Sequence, residues 1–462
     1  MKGKDQNKEF HHALKVHEDL CTGCTHCMIV CPTRAIRIRK GKAIIIADRC
    51  VDCGECYRAC PVSAIGVEQD DLNLILKFPV RVLLIPGIFI GQFSHKIPLS
   101  SIYGALGKIG FTHVYHVENT VDMVLDAYDE YALQNESRPL ISSFCPAVVR
   151  LIQVRFPSLV DNIMKVNPPV DMSAIYYREK LRSSGIPEQN TGLFYATPCA
   201  AKIAAIKSPV GETESVVTGV INTNYLYNKV YQLLQKGEAF NEIPVTDDLL
   251  SSRGILWSLT RGESSHRKKR SLSVDGIRNV TEILESVEND KLDNIDFLEL
   301  RACDEGCAGG ILLPGNRFVT VERLRKLASD FSKSETDSRR KLTEGFINLK
   351  EQSFLGKIEP RNIEKLDEDF TVAMKKMKRK RRLMCFLPGF DCAACGSPDC
   401  QTLAEDTVRG YGQLSHCVFM QQQMVKQKLM SQEKAFSLTE EIWGAERLEK
   451  NCNKIGAENE NI

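Results

Sequence analysis

One cysteine run occurs twice near the start of this chain. Cys21-x2-Cys24-x2-Cys27-x3-Cys31 is followed by Pro32, and Cys50-x2-Cys53-x2-Cys56-x3-Cys60 by Pro61. A stretch this dense in thiols has little room for an apolar core, so metal must staple it. Disulfides are the alternative, but they need an oxidising compartment. Met1 to Leu20 is polar and charged, without the apolar stretch of a Sec signal. The chain is therefore expected to be cytoplasmic, with its thiols free to bind metal.

The spacing selects the metal. A 4Fe–4S cubane needs one thiolate on each of four irons. Two-residue spacers let a tight loop deliver three neighbouring thiolates, and the fourth comes from farther away. In a two-cluster arrangement the fourth cysteine of each run serves the other cluster. Cys21, Cys24, Cys27 and Cys60 are then one ligand set, and Cys50, Cys53, Cys56 and Cys31 the other. Structural zinc is usually held by two pairs of ligands rather than by two runs of four followed by proline. The segment resembles a bacterial two-cluster ferredoxin. His26, inside the first loop, reads as a surface residue.

Eighteen cysteines occur in 462 residues. Besides the eight in the doubled run, four fall between Cys392 and Cys417, and Cys145, Cys199, Cys303 and Cys307 lie between the two groups. Cys385 and Cys452 have no matching partners and read as non-ligands. A formal net charge of +2 gives no global attraction to nucleic acid or acidic membranes. The longest apolar run, Val80 to Phe93, is broken by Arg81, Pro86 and Gly87 and is too short to span a bilayer. The organisation reads as residues 1–72, a ferredoxin-type domain; 73–345, the core; 346–384, a charged linker; 385–420, a single-cluster domain; and 421–462, a C-terminal helix and tail. The linker contains the basic run Met374 to Arg382, which reads as a solvated linker or helix face.

Cys392-x2-Cys395-x4-Cys400-x16-Cys417 supplies a third group of four thiolates. Gly396 lets backbone wrap closely around an inorganic core. On spacing alone zinc competes here. The sequence LPGFDCAACGSPDCQTLAEDTVRG resembles a single-cluster 4Fe–4S domain of electron-transfer and sensor proteins.

In the core, short β-rich runs alternate with helical patterns, which predicts an α/β domain with largely parallel strands. Three predicted strands end at Cys145, Cys199 and Cys303, and Cys307 follows four residues after the last, among Gly306, Gly309 and Gly310. Ligands gather at the carboxyl ends of parallel strands, so these four cysteines are expected to converge. Lys202, one helical turn beyond Cys199, is placed to face the same site. Isolated cysteines also serve as small buried hydrophobes, and that reading stays open for Cys145 and Cys199.

Over residues 20–330 the chain resembles the FeFe hydrogenase large subunit family. That family's Thr-Ser-Cys-Cys-Pro segment is matched by Ser142-Ser143-Phe144-Cys145-Pro146. Its Met-Pro-Cys-x2-Lys segment is matched by Thr197-Pro198-Cys199-Ala200-Ala201-Lys202. Its Glu-x3-Cys-x3-Cys segment is matched by Glu299, Cys303 and Cys307, with Gly309 and Gly310 after them. The resemblance implies a hydrogenase large-subunit-like core of parallel sheets flanked by helices. A ferredoxin-like module would precede it and a small helical 4Fe–4S module would follow. It also implies an H-cluster: Cys145, Cys199, Cys303 and Cys307 around a cubane, and Cys307 bridging to a two-iron unit with CO and cyanide ligands. Lys202 would donate to a cyanide, a cation suited to a bound anion in a dry site. Lys202 and Cys307 are then the catalytic candidates.

The departures from that pattern bear on activity. Phe144 replaces the proton-carrying first cysteine of the Cys-Cys pair. The two upstream relay glutamates fall, without gaps, on Val124 and Ala127, and the nearby Asp126, Asp129 and Glu130 are out of register. Thr197 and Arg301 replace two methionines. Proton transfer needs donors and acceptors within hydrogen-bond reach, so rapid turnover is not expected. These departures, with stretches such as RGILWSLTRGE and LSVDGIRNV, resemble the sensory branch of the family. Longer members of that branch continue into a PAS or signalling domain, so a redox or signalling protein partner is expected, with H2 and protons as substrates. Expected cofactors are three 4Fe–4S clusters outside the core, two N-terminal and one C-terminal, besides the core H-cluster. An electron-transfer or scaffold protein whose core binds only a cubane is the alternative, and an accessory subunit of an electron-bifurcating complex a further one. The ferredoxin clusters are expected at one end of the core and the C-terminal cluster at the other.

Overall fold

The computed structural model describes residues 10–237, 251–267, 269–331, 351–361 and 366–448. Cys452 lies outside them. The chain divides into two units. One comprises the described parts of Leu14–Cys50, Glu55–Gly66 and Asn362–Ile462; the other is built mainly from Val67–Arg361, with Met1–Ala13 and Val51–Gly54.

In the first unit, β1 (Leu14–Val16) pairs with β4 (Ile65–Val67), and β2 (Ile36–Arg39) forms an antiparallel hairpin with β3 (Lys42–Ile45). The internal repeat is visible in the backbone. Gly23 and Asp52, Thr25 and Gly54, and Arg34 and Ser63 occupy equivalent positions of the two runs, and all six have positive φ. Ala35 N–H donates to Cys31 Sγ at 3.1 Å, and Ala64 N–H to Cys60 Sγ at 3.2 Å, the same bond in each copy.

The same unit contains the C-terminal cysteine module, which docks on β2. Ile38 N–H donates to Gly396 O at 2.9 Å, and the buried Arg37 forms a two-point ion pair with Asp406 at 2.5 and 2.9 Å. Arg49, Lys380 and Arg409 converge on Glu405. The expectation that the N- and C-terminal clusters occupy opposite ends of the core is thus corrected, because all the described cysteines of both modules except Cys53 belong to one unit. Charge pairing between distant segments produced this docking, and spacing along the chain does not reveal it.

Two further expectations change. The stretch read as a linker divides: Phe354 packs half-buried against the core and Ile358 is buried, while Phe370–Phe386 is a helix capped by Asp369. That helix exposes most of the basic run, apart from Lys376 and Lys380, which pair with Asp367 and Glu405, and turns Leu383 toward the cysteine module. The tail is several helices rather than one. Val418–Lys426 ends at a turn where Lys428 has φ +59°, and Gln432–Trp443 restarts behind the Ser431 cap.

The core unit holds two parallel sheets. In the first, β5 (Val80–Ile85) lies between β6 (His113–His116) and β8 (Thr191–Thr197), with β9 (Gly219–Asn222) outside β8. In the second, β11 (Phe297–Arg301) lies between β10 (Ser271–Asp275) and β7 (Leu140–Ile141). Strands β8 and β11 are buried along their whole length, as central parallel strands covered on both faces must be. The helices Pro146–Arg155 and Ala200–Lys207 begin directly after Cys145 and Cys199. No helix among the described residues is long and apolar enough to cross a membrane.

Candidate iron–sulfur sites and the buried core centre

In the ferredoxin module, burial pushes the Cys27 thiol up to about 12, and Cys24, Cys21 and Cys60 add to the effect. Burial likewise raises Cys56 to about 12, with Cys31 and Cys27 contributing. Cys60, from the second run, therefore sits with three thiols of the first, and Cys31 sits with Cys56. Gathered thiols that resist ionisation this strongly need a cationic group to hold them as thiolates. Backbone at positive φ arranges successive N–H groups into anion-binding concavities of the kind that surround iron–sulfur cores. The residues present fit cubanes on both counts. His26 is exposed.

The C-terminal thiols share one cavity, lined by Cys392, Cys395, Cys400 and Cys417 together with Pro388 and Leu403. Cys395 is pushed up to about 11 by burial, with Cys417 and Cys392 adding and Arg39 opposing. Cys400 heads the helix Cys400–Arg409, whose cap Asp399 accepts from Thr402 N–H at 2.7 Å. Cys385 is exposed on the preceding helix.

In the core, the cysteines of the two sheets meet. Cys199 is raised to about 12, chiefly by burial; Lys202 opposes this, and Cys307 and Cys145 reinforce it. Burial, and then Cys307, also raise Cys145. Cys303 lies in the same turn, where a Cβ on Gly309 would come within 3.3 Å of its own Cβ. The tight turn Gly306–Gly309 presents Cys307, whose N–H donates to Ser258 O at 2.8 Å.

Lys202 is buried. Its Nζ lies 3.4 Å from Tyr195 Oη, 3.9 Å from Cys307 Sγ and 4.4 Å from the Phe144 ring. Burial, the largest influence, opposes its charge, but Cys307, Tyr195 and Cys199 outweigh burial and hold the ammonium above its ordinary value. Phe144, Lys202 and Cys307 line a small cavity with Glu118 and Trp257. Phe144 and Lys202 also line a larger neighbouring cavity of about 430 Å³, with Asp171, Glu212 and Glu214. Glu118 accepts from Gly87 N–H at 2.7 Å through one oxygen, while the other makes no hydrogen bond among the described residues. The cavity beside Cys307 is about 10 Å³, room for little more than one water; it is the gathered thiols, the buried cation and the unsatisfied carboxylate oxygen that fit a bound inorganic group.

The substituted positions form a network of their own. Arg301 and Glu299 alternate along β11 and so share one face. Arg301 Nη2 lies 2.7 Å from Glu263 Oε1, 3.4 Å from Glu299 Oε1 and 3.0 Å from Trp257 O. Ser142 Oγ donates to Glu263 at 2.7 Å, and Tyr128 Oη lies 3.3 Å from Ser142 Oγ. Thr197 Oγ1 donates to Cys199 O at 3.0 Å and steadies the cysteine turn. Val124 and Ala127, at the relay positions, are buried apolar residues. Asp126 and Asp129 are exposed, and Asp129 pairs with Arg267.

Sequence reasoning missed Tyr128, Glu263, Glu118 and Asp171. Glu263 stood in the quoted RGILWSLTRGE stretch, but nothing local marked it as the partner of Arg301. Glu118 and Asp171 are ordinary acids in sequence, and only burial distinguishes them.

Parts of the chain match three known protein families. Residues 87–228 and 258–311 match the family described as "Iron only hydrogenase large subunit, C-terminal domain". Residues 20–65 match a "4Fe-4S dicluster domain", and 387–419 a "Putative Fe-S cluster". The NADP-reducing hydrogenase subunit HndD of Solidesulfovibrio fructosivorans is 24% identical over 203 residues, covering 41% of this chain and 31% of that protein. The chain thus matches about a third of that relative's length. Among solved structures, HydA(deltaEFG), from work on stepwise [FeFe]-hydrogenase H-cluster assembly, aligns with a TM-score of 0.47 at 14% identity, covering 63% of this chain and 98% of that one. A variant of [FeFe]-hydrogenase HydA1 from Chlamydomonas reinhardtii aligns with a TM-score of 0.47 at 15% identity, with the same coverage.

Proposed function

We propose, on the premise that residues 87–228 and 258–311 match the iron-only hydrogenase large subunit family, that this chain is a hydrogen-sensing or slowly hydrogen-converting protein with an H-cluster in its core. Cys145, Cys199, Cys303 and Cys307 would hold the cubane, and Cys307 would also contact the two-iron unit. The observation that carries this reading is the buried Lys202 ammonium, 3.9 Å from Cys307 Sγ beside a cavity.

When bound, the two-iron unit supplies the centre at which hydrogen is bound and split or formed. The chain's own residues set how fast protons reach it. Lys202 Nζ orients the anionic ligands through charge-assisted hydrogen bonds. The Phe144 ring keeps water out and has no proton to give, so the shortest transfer path of the fast enzymes is closed. Arg301, neutralised by Glu263 and Glu299, fixes that ring. The outcome suits sensing, in which the state of the centre matters more than flux.

The ferredoxin module holds two clusters, on Cys21, Cys24, Cys27 and Cys60 and on Cys50, Cys53, Cys56 and Cys31. The C-terminal module holds a third, on Cys392, Cys395, Cys400 and Cys417. Electrons leave through these to a redox or signalling protein, and the relative's name as one subunit of an NADP-reducing hydrogenase supports a protein partner. A core holding only a cubane is the second reading. It is favoured by Phe144 and Arg301, which fill space that smaller or more flexible side chains occupy in the family.

Infrared spectroscopy of anaerobic protein co-expressed with maturation enzymes separates the two. Bands of CO and cyanide ligands are expected. Their absence, with the core cubane intact, leaves the second reading.

A further inference from the structure

We propose that the β2–β3 hairpin is an electron bridge between the Cys21 cluster site and the C-terminal cluster site, so that the C-terminal cluster is a direct redox partner of the ferredoxin module. This rests on the reading that both cysteine sets hold 4Fe–4S cubanes.

The hairpin lies between the two sites within a single rung of its ladder. Ile38 and Ala43 are cross-strand partners. Ala43 N–H points out of one edge and donates to Cys21 Sγ at 3.3 Å. Ile38 N–H points out of the other edge and donates at 2.9 Å to Gly396 O, next to Cys395 in chain order. Adjacent strands are ~4.8 Å apart, so Cys21 Sγ and Gly396 O stand on the order of 11 Å from each other. The path between them is two hydrogen bonds and one strand pair.

Independent contacts hold both cysteine loops against this hairpin. Arg39 Nη1 donates to Gly396 O at 3.0 Å, and Lys42 Nζ to Cys21 O at 2.8 Å. Arg34 pairs with Asp399 at 2.7 Å, beside Cys400. The end of the tail ties the two loops together. Trp443 Nε1–H donates to Ala394 O at 2.9 Å, inside the C-terminal cysteine loop. Gly41 N–H donates to Ile442 O at 2.9 Å, and Arg447 Nη1 donates to Thr22 O and Gly23 O in the first ferredoxin loop. Gly23 and Gly396 have positive φ, and an added Cβ on either would collide with hairpin backbone, at Gly41 O and Ile38 O respectively. Both cysteine loops therefore reach the hairpin at the closest approach a backbone allows.

The transfer is of one electron. A reduced cubane on one set is oxidised as an oxidised cubane on the other is reduced, and no bond or proton changes place. The hairpin supplies the route, and the buried pair of Arg37 with Asp406 keeps it assembled.

Electron paramagnetic resonance of the full chain tests the bridge. In a Cys53→Ala variant, which removes the other ferredoxin cluster, dithionite-reduced protein should show the split, fast-relaxing signal of two interacting cubanes. Adding Cys400→Ala or Cys24→Ala should abolish the splitting and leave only the signals of clusters that do not interact. Iron analysis accompanies each step. If Cys400→Ala leaves the iron content unchanged, the cluster assignment fails and the bridge with it. If iron falls by about one cubane's complement of four but the signal was never split, the bridge alone is overturned. Ile38→Pro, which removes the N–H that reaches Gly396 O without breaking the ladder, tests it with every cysteine and both loop glycines retained. Iron content should hold while the splitting weakens, and an unchanged splitting counts against the hairpin as the route.

Discussion

The guanidinium of Arg301 stacks on the Phe144 ring, with Cζ 3.9 Å from the ring centroid. Lys202 Nζ lies 4.4 Å from the same centroid, so two buried cations meet one aromatic ring. Cation–π attraction is strongest when desolvated, and both cations are desolvated here. Phe144 and Arg301 are thus one substitution in physical terms. The aromatic ring is tolerated because the arginine packs on it, and the arginine because Glu263 and Glu299 neutralise it.

Replacing Arg301 with methionine should destabilise the core by about 3–5 kcal/mol, because two carboxylates are then buried without their cation. The denaturation midpoint of the anaerobic protein measures this. A double variant that also carries Glu263→Gln should recover part of the loss. No recovery would sink the pairing as the cause.

Restoring a proton carrier should raise turnover. Phe144→Cys puts a titratable thiol beside Lys202, and general acid–base groups contribute about 10²–10⁴-fold. Hydrogen evolution with reduced methyl viologen, on protein that shows CO and cyanide bands, should rise at least tenfold. An unchanged rate would place the limit at electron delivery instead.

Removing iron should unfold the ferredoxin module selectively. Its buried thiols, raised as far as about 12 at Cys27 and Cys56, crowd together and resist ionisation until metal replaces their protons. Metal binding supplies that part of the folding energy. Hydrogen exchange after anaerobic chelation should show fast exchange at Ile38 and Ala43, with protection retained along β5 and β8. Protection of the hairpin without iron would contradict this.

Asp171 gives the core a pH dependence of definite sign. Burial raises its carboxyl to about 7, with Lys202 opposing and Glu212 reinforcing the shift. A raised acid keeps its proton in the folded state while the unfolded chain has lost it. This part of the stability is therefore complete below about pH 4 and is lost as pH rises toward 7. Between those limits it amounts to on the order of 4 kcal/mol. Thermal melts of Asp171→Asn should show a shallower decline over that window than the unaltered protein. Parallel slopes would remove Asp171 as the source.

What could be read from the amino acids alone was local or repeated. The doubled Cys-x2-Cys-x2-Cys-x3-Cys-Pro run states the coordination pattern it suits, in which three ligands would come from one loop and the fourth from the other copy. Parallel sheets were legible because strands such as β8 are apolar on both faces, and the three strand ends at Cys145, Cys199 and Cys303 announced a meeting point. Phe144, Thr197 and Arg301 could be seen as departures, but the packing of Phe144 on Arg301 could not.

Tertiary structure alone decided the contacts between segments far apart in sequence. Arg301 meets Glu263 and Phe144 because two sheets bring their strand ends together, and no period or spacing encodes that meeting. Glu118 and Asp171 became unusual acids only through burial, which depends on everything packed around them. The docking of the C-terminal cysteines on Ile38 followed from ion pairs, such as Arg37 with Asp406, between residues that are ordinary surface charges in sequence. Ligand spacing is a property of a short piece of chain; dielectric surroundings and long-range charge pairing belong to the folded whole.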